Sequence, residues 1–213
     1  MSELIAEALT FRYGANVTVT EDWSQTFAPG ELVALCGPSG RGKSTILYLL
    51  GLMLRPNQGR ITIDGRNVSS LGDAQRAQVR ANTIGFVFQD AALDGSRTVL
   101  DNVLEPTLYA RSRTSRTETG RAAELLERFG VSSRASHRPG EISGGQAQRI
   151  ALCRALISNP GIILADEPTG NLDSVTGTVV LDALREHAES SAAVVIATHD
   201  PTVIGACDRR IDL

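Results

Sequence analysis

Residues 37–44, GPSGRGKS, have the types and spacing of a loop that binds nucleotide phosphates. They fit the pattern G-x-x-x-x-G-K-[ST], in which glycines let successive main-chain N–H groups point at one phosphate. Lys43 is a compact ammonium that can reach the β- and γ-phosphates, Ser44 offers a hydroxyl to Mg²⁺, and Thr45 can donate to the α-phosphate. The residues expected to contact a nucleoside triphosphate are Gly37, Pro38, Ser39, Gly40, Arg41, Gly42, Lys43, Ser44 and Thr45.

Two carboxylates stand at the end of another apolar run, IILA, residues 162–165. Ligands of open α/β sheets bind at the carboxyl ends of strands, which is where Asp166 and Glu167 would lie. Asp166 suits the water shell of Mg²⁺. Glu167 would point to the other side of the strand, where it is a candidate general base that accepts a proton from the attacking water.

Two further polar residues follow apolar runs. His199 comes after AAVVIAT and Gln89 after TIGFVF. A lone histidine is usually structural, but at the end of a strand of this sheet a γ-phosphate contact is the better interpretation. Gln89 is a candidate catalytic residue that contacts the metal or the water.

A second anion-binding helix start is predicted within residues 141–149, EISGGQAQR. Ser143 is a good N-cap residue for the helix that AQRIALCRALI predicts, and Gly144 and Gly145 leave its first main-chain N–H groups uncovered. The chain thus has two helix starts suited to anions but only one phosphate loop.

The elements that position these residues indicate an α/β fold. Helical periodicity at residues 43–54 and 174–189 alternates with buried strands, so the main sheet is expected to be largely parallel. Residues 1–36 and 60–63 alternate short apolar stretches with turns, which indicates an antiparallel β layer. The buried strands are predicted at 83–88, 161–166, 192–197 and, as LVALC, at 32–36.

Residues 98–158 differ, because TVLDNVLEPTLYARS and RAAELLERFG have helical periodicity and no strand pattern. Ser115 and Glu118 form a capping box, and the arginines of residues 111–121 indicate a solvated helix start or a contact with a lipid headgroup or a partner loop. We expect one domain with a P-loop NTPase (RecA-like) core. Residues 1–89 and 159–213 would form this core with the β layer, and residues 90–158 an inserted helical subdomain.

The composition excludes several classes of protein. The chain has 213 residues, 42% of them hydrophobic, and a net charge of −3, so nothing indicates affinity for nucleic acid. No apolar run reaches the roughly 18–20 residues that span a bilayer, and Glu3 and Glu7 argue against a signal peptide. We expect a cytoplasmic protein that reaches a membrane only through a partner. The residues expected to be buried free thiols are Cys36, Cys153 and Cys207.

Four segments in this order, GPSGRGKST, ISGGQAQR, ILADEPTGNLD and ATHD, resemble the nucleotide-binding subunit of an ABC transporter over essentially the whole chain. Two segments, IGFVFQDAALDGSRTVLDNVLEPTLYA and ADEPTGNLDS, are similar to one branch of that family. This branch contains macrolide and peptide exporters, lipoprotein-releasing ATPases and the cell-division ATPase. The chain differs in Ile142, where leucine is usual, and we expect it to lack the regulatory domain that follows the sheet in some importers.

The resemblance explains the second helix start. ATPases of this family dimerise head to tail, and each ATP lies between the phosphate loop of one copy and the signature motif of the other. The resemblance implies that ATP and Mg²⁺ are the cofactors. The partners are then a second copy and a membrane permease, which holds the protein at the inner face of the membrane. The residues that would contact the nucleotide of the second copy are Ser143, Gly144, Gly145 and Gln146.

The resemblance also assigns roles to single residues. Tyr13 matches the aromatic residue that stacks on adenine, with packing of its strand as the alternative and Phe11 as a weaker candidate. Asp173 matches a residue that crosses the dimer towards the opposite phosphate loop. Gln89 matches the loop that links the metal site to the helical subdomain and the permease, and His199 matches the γ-phosphate switch.

Two other functions compete with a transport ATPase. A soluble ABC ATPase of translation or DNA maintenance usually has two cassettes or a long coiled-coil insertion, and this chain has neither. A GTP switch would use the base-reading motif N-K-x-D, which is impossible here because Lys43 is the only lysine. A GTP switch or a kinase also leaves ISGGQ unexplained.

Overall fold

Two sheets organise the chain, which the computed structural model describes over residues 2–14, 17–38, 40–109, 116–170 and 172–213. The first sheet is antiparallel, in the order β2-β1-β4-β5. Its strands are β1 Leu4–Tyr13, β2 Val17–Phe27, β4 Gln58–Ile63 and β5 Arg66–Asn67. The second sheet is parallel, in the order β6-β7-β8-β3-β9. Its strands are β3 Leu32–Cys36, β6 Ile84–Val87, β7 Ile162–Asp166, β8 Ala193–Ala197 and β9 Arg209–Asp212.

Seven α-helices lie within the described ranges, and none of them is long and apolar enough to cross a membrane. They are α1 Lys43–Leu50, α2 Asp73–Thr83, α3 Val99–Tyr109, α4 Arg116–Arg128, α5 Gly144–Leu156, α6 Ser174–Glu189 and α7 Pro201–Ala206. The described part of residues 98–158 has helices and no strand, as the sequence predicts. Ser115 lies outside the described residues, as do residues 111–114 of the arginine-rich segment.

The parallel sheet is buried on both faces because successive residues of its strands enter different hydrophobic cores. Ile162 and Leu164 of β7 belong to the core that contains α1 and the antiparallel sheet. Ile163 and Ala165 belong to the core that contains α3, α4, α5 and α6. This arrangement explains why the central strands are continuous apolar runs. The carboxyl ends of the neighbouring strands β3, β7 and β8 lie at one edge of the sheet, where polar residues follow the apolar runs.

Several features differ from the sequence predictions. The antiparallel layer does not extend to residue 36, because β3 lies between β8 and β9 in the parallel sheet. The first helix ends at Leu50 rather than near residue 54, since Leu52 adopts a left-handed conformation with a φ of 57°. Strand β9 and helix α2 were not predicted. Only Ile211 of β9 and Arg76 of α2 are buried, so neither element has an apolar pattern.

The cysteine prediction is confirmed for two of the three thiols. Cys36 and Cys153 are buried and free, whereas Cys207 is only partly buried. Burial raises the pKa of Cys153 to about 12 and that of Cys207 to about 11. Burial also raises the pKa of the Cys36 thiol, so all three cysteines have little of the reactive thiolate form near neutral pH.

Gly85 lets α5 approach the sheet closely, and this contact predicts a stability effect. A Cβ at Gly85 would lie 2.5 Å from the carbonyl oxygen of Ala155 and 2.9 Å from Cγ of Pro160. We expect Gly85→Ala to lower the free energy of unfolding by about 1–3 kcal/mol through overpacking. The control is Gly120→Ala in α4, where an added Cβ meets nothing within 4 Å. Similar urea midpoints for the two variants would contradict this close approach.

Candidate active site

The phosphate loop connects β3 to α1 and has the backbone that a loop around a phosphate needs. Gly40 and Gly42 have φ values of 80° and 87°, a region that favours glycine. Gly42 is the N-cap residue of α1 and has no side chain to cover the helix start, so the first N–H groups of α1 are accessible to an anion. Ser39, one of the predicted contacts, lies outside the described residues.

Lys43 lies across this loop rather than pointing away from it. Its ammonium donates to the carbonyl oxygens of Gly37 at 2.7 Å and Pro38 at 3.3 Å, and the residue is 8% exposed. The loop therefore holds the only lysine against its own backbone. A phosphate there would be a stronger acceptor for the ammonium than a neutral carbonyl oxygen.

Ser44 and Asp166 meet at the carboxyl end of β7, as predicted for a Mg²⁺ site. Asp166 is 3% exposed. Burial raises the pKa of Asp166, and a hydrogen bond from the Ser44 hydroxyl acts in the opposite direction. A buried carboxylate beside a hydroxyl is a set of hard oxygen atoms that fits Mg²⁺, and a cation there would favour the ionised form. Gln89 is exposed two residues beyond Val87, which pairs with Ala165, so it lies at the same edge of the sheet.

Glu167 and His199, which the sequence placed at two separate strand ends, are in direct contact. Nδ1 of His199 lies 2.6 Å from Oε1 of Glu167, and Thr198 donates its hydroxyl to Oε2 at 3.1 Å. The Glu167 side chain is 11% exposed and that of His199 is 71% exposed. Glu167 has a φ of 43°, so the chain turns sharply after Asp166 and directs the two carboxylates differently. Thr198 is fully buried and was missed, although it directly precedes His199.

The second predicted anion site has the expected local structure. Ser143 is the N-cap residue of α5, and its Oγ accepts from the N–H of Gln146 at 3.3 Å. The Gln146 side chain accepts in return from the N–H of Ser143 at 3.0 Å, which closes a capping box. Ser143 and Gly144 are exposed, so the start of α5 is open to a ligand. Gln146 therefore has a local structural role that the sequence analysis did not assign.

Tyr13 and Asp173 lie at the surface. Tyr13 is 48% exposed, its hydroxyl is 3.5 Å from the hydroxyl of Thr45, and its ring meets the buried ring of Phe11 edge to face. Phe11 rather than Tyr13 thus packs in the core, and Tyr13 stays accessible beside the phosphate loop. Asp173 caps α6 by accepting from the N–H and hydroxyl of Thr176 at 3.0 and 2.8 Å. These hydrogen bonds hold the pKa of Asp173 below its usual value.

The structure thus gathers one set of predicted residues and separates another. The phosphate loop, the Ser44–Asp166 contact and the Glu167–His199 pair lie at the carboxyl ends of β3, β7 and β8, which are neighbours in the sheet. The open start of α5 belongs to a helix that packs on β6 and α3. The first set can bind a triphosphate, hold a cation and activate a water.

Comparisons with known proteins agree with this chemistry. The family model for the ABC transporter domain matches residues 20–170. The lipoprotein-releasing system ATP-binding protein LolD of Myxococcus xanthus is 45% identical over 205 residues, which is 95% of this chain and 91% of that protein. The macrolide export ATP-binding/permease protein MacB of Pectobacterium atrosepticum is also 45% identical, over 93% of this chain but 30% of that protein.

A solved structure has the same fold. It is the dimeric post-hydrolysis state of the ATP-binding cassette MJ0796 bound to ADP and Pi. The TM-score is 0.92 at 36% identity, with 99% of this chain and 94% of that chain covered. The α/β fold predicted from the sequence is confirmed by this similarity.

Proposed function

The chain belongs to the ABC transporter family as an ATP-binding and ATP-hydrolysing subunit, and from this premise we propose that two copies enclose Mg-ATP and drive a membrane permease. The observation that carries the proposal is the contact of Glu167 with His199. Glu167 directly follows the buried Asp166, which accepts a hydrogen bond from Ser44. This arrangement combines a base, a metal ligand and a phosphate loop at one sheet edge.

The nucleotide is bound by elements at the end of β3. The main-chain N–H groups of residues 40–44 surround the β-phosphate, and the Lys43 ammonium donates to phosphate oxygens instead of to the carbonyl oxygens of its own loop. Tyr13 stacks on the adenine, which fits its exposed ring and its position beside Thr45. Ser44, Gln89 and Asp166 are the residues that would hold Mg²⁺. The ion supplies positive charge that offsets the phosphate oxygens.

Glu167 is the general base in this mechanism. The water oxygen attacks the γ-phosphorus, the bond from that phosphorus to the β–γ bridging oxygen breaks, and the water proton goes to the Glu167 carboxylate. Thr198 and His199 fix the two carboxylate oxygens before the reaction. The exposed ring of His199 turns towards the γ-phosphate when the nucleotide is bound.

The site is completed by a second copy. Ser143, Gly144 and Gly145 offer the open start of α5 to the γ-phosphate held by the other chain, and Asp173 faces the opposite phosphate loop. A head-to-tail pair places one helix start at each nucleotide and so uses both anion sites of each chain. The dimeric structure of MJ0796 with ADP and Pi supports this assembly.

We place the permease contact on an apolar groove of about 450 Å³ that Phe88, the neighbour of Gln89, helps to line. The residues that line it include Met53, Phe86, Phe88 and Tyr109, and the large apolar side chains of Met53 and Tyr109 are exposed. MacB of Pectobacterium atrosepticum is an ATP-binding/permease protein of which this chain covers 30%. We infer that residues 90–158 form the subdomain that moves with the permease at the inner face of the membrane.

The relatives found favour this function over a soluble ABC ATPase of translation or DNA maintenance. LolD belongs to a lipoprotein-releasing system and MacB exports macrolides. Both belong to the branch that the sequence resembles.

The Ser143→Arg variant tests the sharing of the site. We expect it to lose ATP hydrolysis by at least about 100-fold, because the long cation fills the place of the γ-phosphate of the second copy. Nucleotide affinity of the monomer should stay within about 3-fold of wild type, measured by titration at low protein concentration. The control is Ser190→Arg, at the exposed end of α6. Loss of nucleotide binding by the Ser143→Arg monomer would contradict the proposal.

A further inference from the structure

Arg154 is a buried cation that the mechanism above does not use. It lies on α5, is 8% exposed, and donates from Nη1 to the carbonyl oxygen of Ala92 at 2.6 Å and from Nη2 to that of Ala91 at 2.7 Å. Ala91 and Ala92 have φ values of 61° and 45°. Such left-handed alanines are strained and persist only where their surroundings fix them. The forked guanidinium supplies this restraint by binding both carbonyl groups at once.

Gln148 makes a third contact between α5 and the same segment. It is 3% exposed, and its Nε2 donates to the carbonyl oxygen of Phe88 at 3.1 Å. The guanidinium of Arg154 also lies 5.9 Å from the centroid of the Phe88 ring. Residues 88–92, which contain Gln89, are therefore attached to α5 on both sides of Gln89. We name residues 88–92 the Gln89 segment.

Helix α5 connects this attachment to the open anion site. Ser143 caps the helix and Arg154 lies in its last turn, about 16 Å further along the axis at 1.5 Å per residue. The helix is packed against β6 through Gly85 and against α3. A displacement of the Gln89 segment must therefore break the buried contacts of Arg154 or move the helix and Ser143 with it.

We propose that Arg154 is a positioning residue: its fork fixes the Gln89 segment to α5 and so sets where Ser143 meets the nucleotide of the second copy. The proposal rests on the proposed function, because it assigns a regulator to the shared site. Arg154, Phe88 and Ala92 also line the apolar groove, so a chain bound there contacts the same attachment. Arg154 thus links occupation of the groove to the position of Ser143.

The test compares Arg154→Met with a matched arginine. Arg121 in α4 also donates to a main-chain carbonyl of α5, that of Leu156 at 3.2 Å, and has no contact with the Gln89 segment among the hydrogen bonds of the described residues. Arg154→Met should lower kcat by about 10- to 100-fold, which is the effect expected when Ser143 is misplaced by about 1 Å relative to the nucleotide. The affinity of the monomer for ATP should change less than about 3-fold. Arg121→Met should leave both quantities within about 3-fold of wild type.

Two more measurements separate positioning from a loss of stability. Amide hydrogen exchange should be faster in residues 88–92 of Arg154→Met but not of Arg121→Met. Arg154→Lys should recover only part of the kcat, because a single ammonium cannot replace the fork. If Arg154→Met does not fold, Gln148→Met carries the test, with the same faster exchange around Phe88 and a smaller loss of kcat.

The outcomes distinguish a failure of this inference from a failure of the proposed function on which it rests. Wild-type protein without ATPase activity or ATP-driven dimerisation would overturn the proposed function itself. If the wild type is active, equal kcat values and equal exchange rates in Arg154→Met and Arg121→Met would overturn the positioning role alone. Where Gln148→Met replaces Arg154→Met, the same holds if its kcat and exchange rates equal those of the wild type.

Discussion

Replacing Lys43 with alanine is expected to lower the affinity for ATP by about 100-fold, the effect of losing a hydrogen-bonded charge pair. The reason is local. The ammonium is held over the phosphate loop by the carbonyls of Gly37 and Pro38, and no other lysine exists in the chain to replace it. The measurement is a titration with a fluorescent ATP analogue.

Two variants make the result specific. Lys43→Arg keeps the charge but brings a larger planar group into a residue that is 8% exposed, so it should also bind ATP poorly. Arg66→Ala, on the exposed strand β5, removes a cation far from the loop in sequence and should bind as wild type does. Affinity of Lys43→Ala within a few-fold of wild type would refute the assigned role of Lys43.

Replacing Glu167 with glutamine is expected to give the second large effect, a fall in kcat of about 100- to 10,000-fold with ATP binding retained. The amide has nearly the shape of the carboxylate and can still contact Thr198 and His199, but it cannot accept the water proton. Because hydrolysis no longer opens the pair, Mg-ATP should hold Glu167→Gln as a dimer that light scattering detects.

The control for this variant is Glu186→Gln, which changes an exposed carboxylate that pairs with Arg128 at the protein surface. It should hydrolyse ATP and show the same nucleotide-dependent equilibrium between monomer and dimer as the wild type. A Glu167→Gln protein that stays monomeric with Mg-ATP, even with its permease present, would contradict the enclosed dimer.

The sequence predicts features that depend on neighbours along the chain. The phosphate loop, the cap at Ser143 and the bounds of α6 all follow from spacing over a few residues, and the structure has each of them. The buried strand that ends at Asp166 is equally local, because a run of apolar residues between a glycine and two carboxylates has few other interpretations.

Features that depend on distant contacts could not be predicted. The contacts of Gln148 and Arg154 with the Gln89 segment span 60 to 63 residues, and nothing in GGQAQRIALCRAL shows where those side chains point. Strand β9 is defined by pairing with β3 rather than by its own mostly polar residues. The contact between Glu167 and His199 likewise requires β7 and β8 to be adjacent.

The sharing of each nucleotide between two copies is the central claim, and a cross-linking experiment tests it directly. One tagged copy carries Ser143→Cys and an untagged copy carries Arg41→Cys. Both also carry Glu167→Gln and lack the native cysteines. With Mg-ATP and a short thiol cross-linker, we expect a product that contains one tagged and one untagged chain, and no such product without ATP. Absence of this mixed product with Mg-ATP, although both chains bind ATP, would contradict the account.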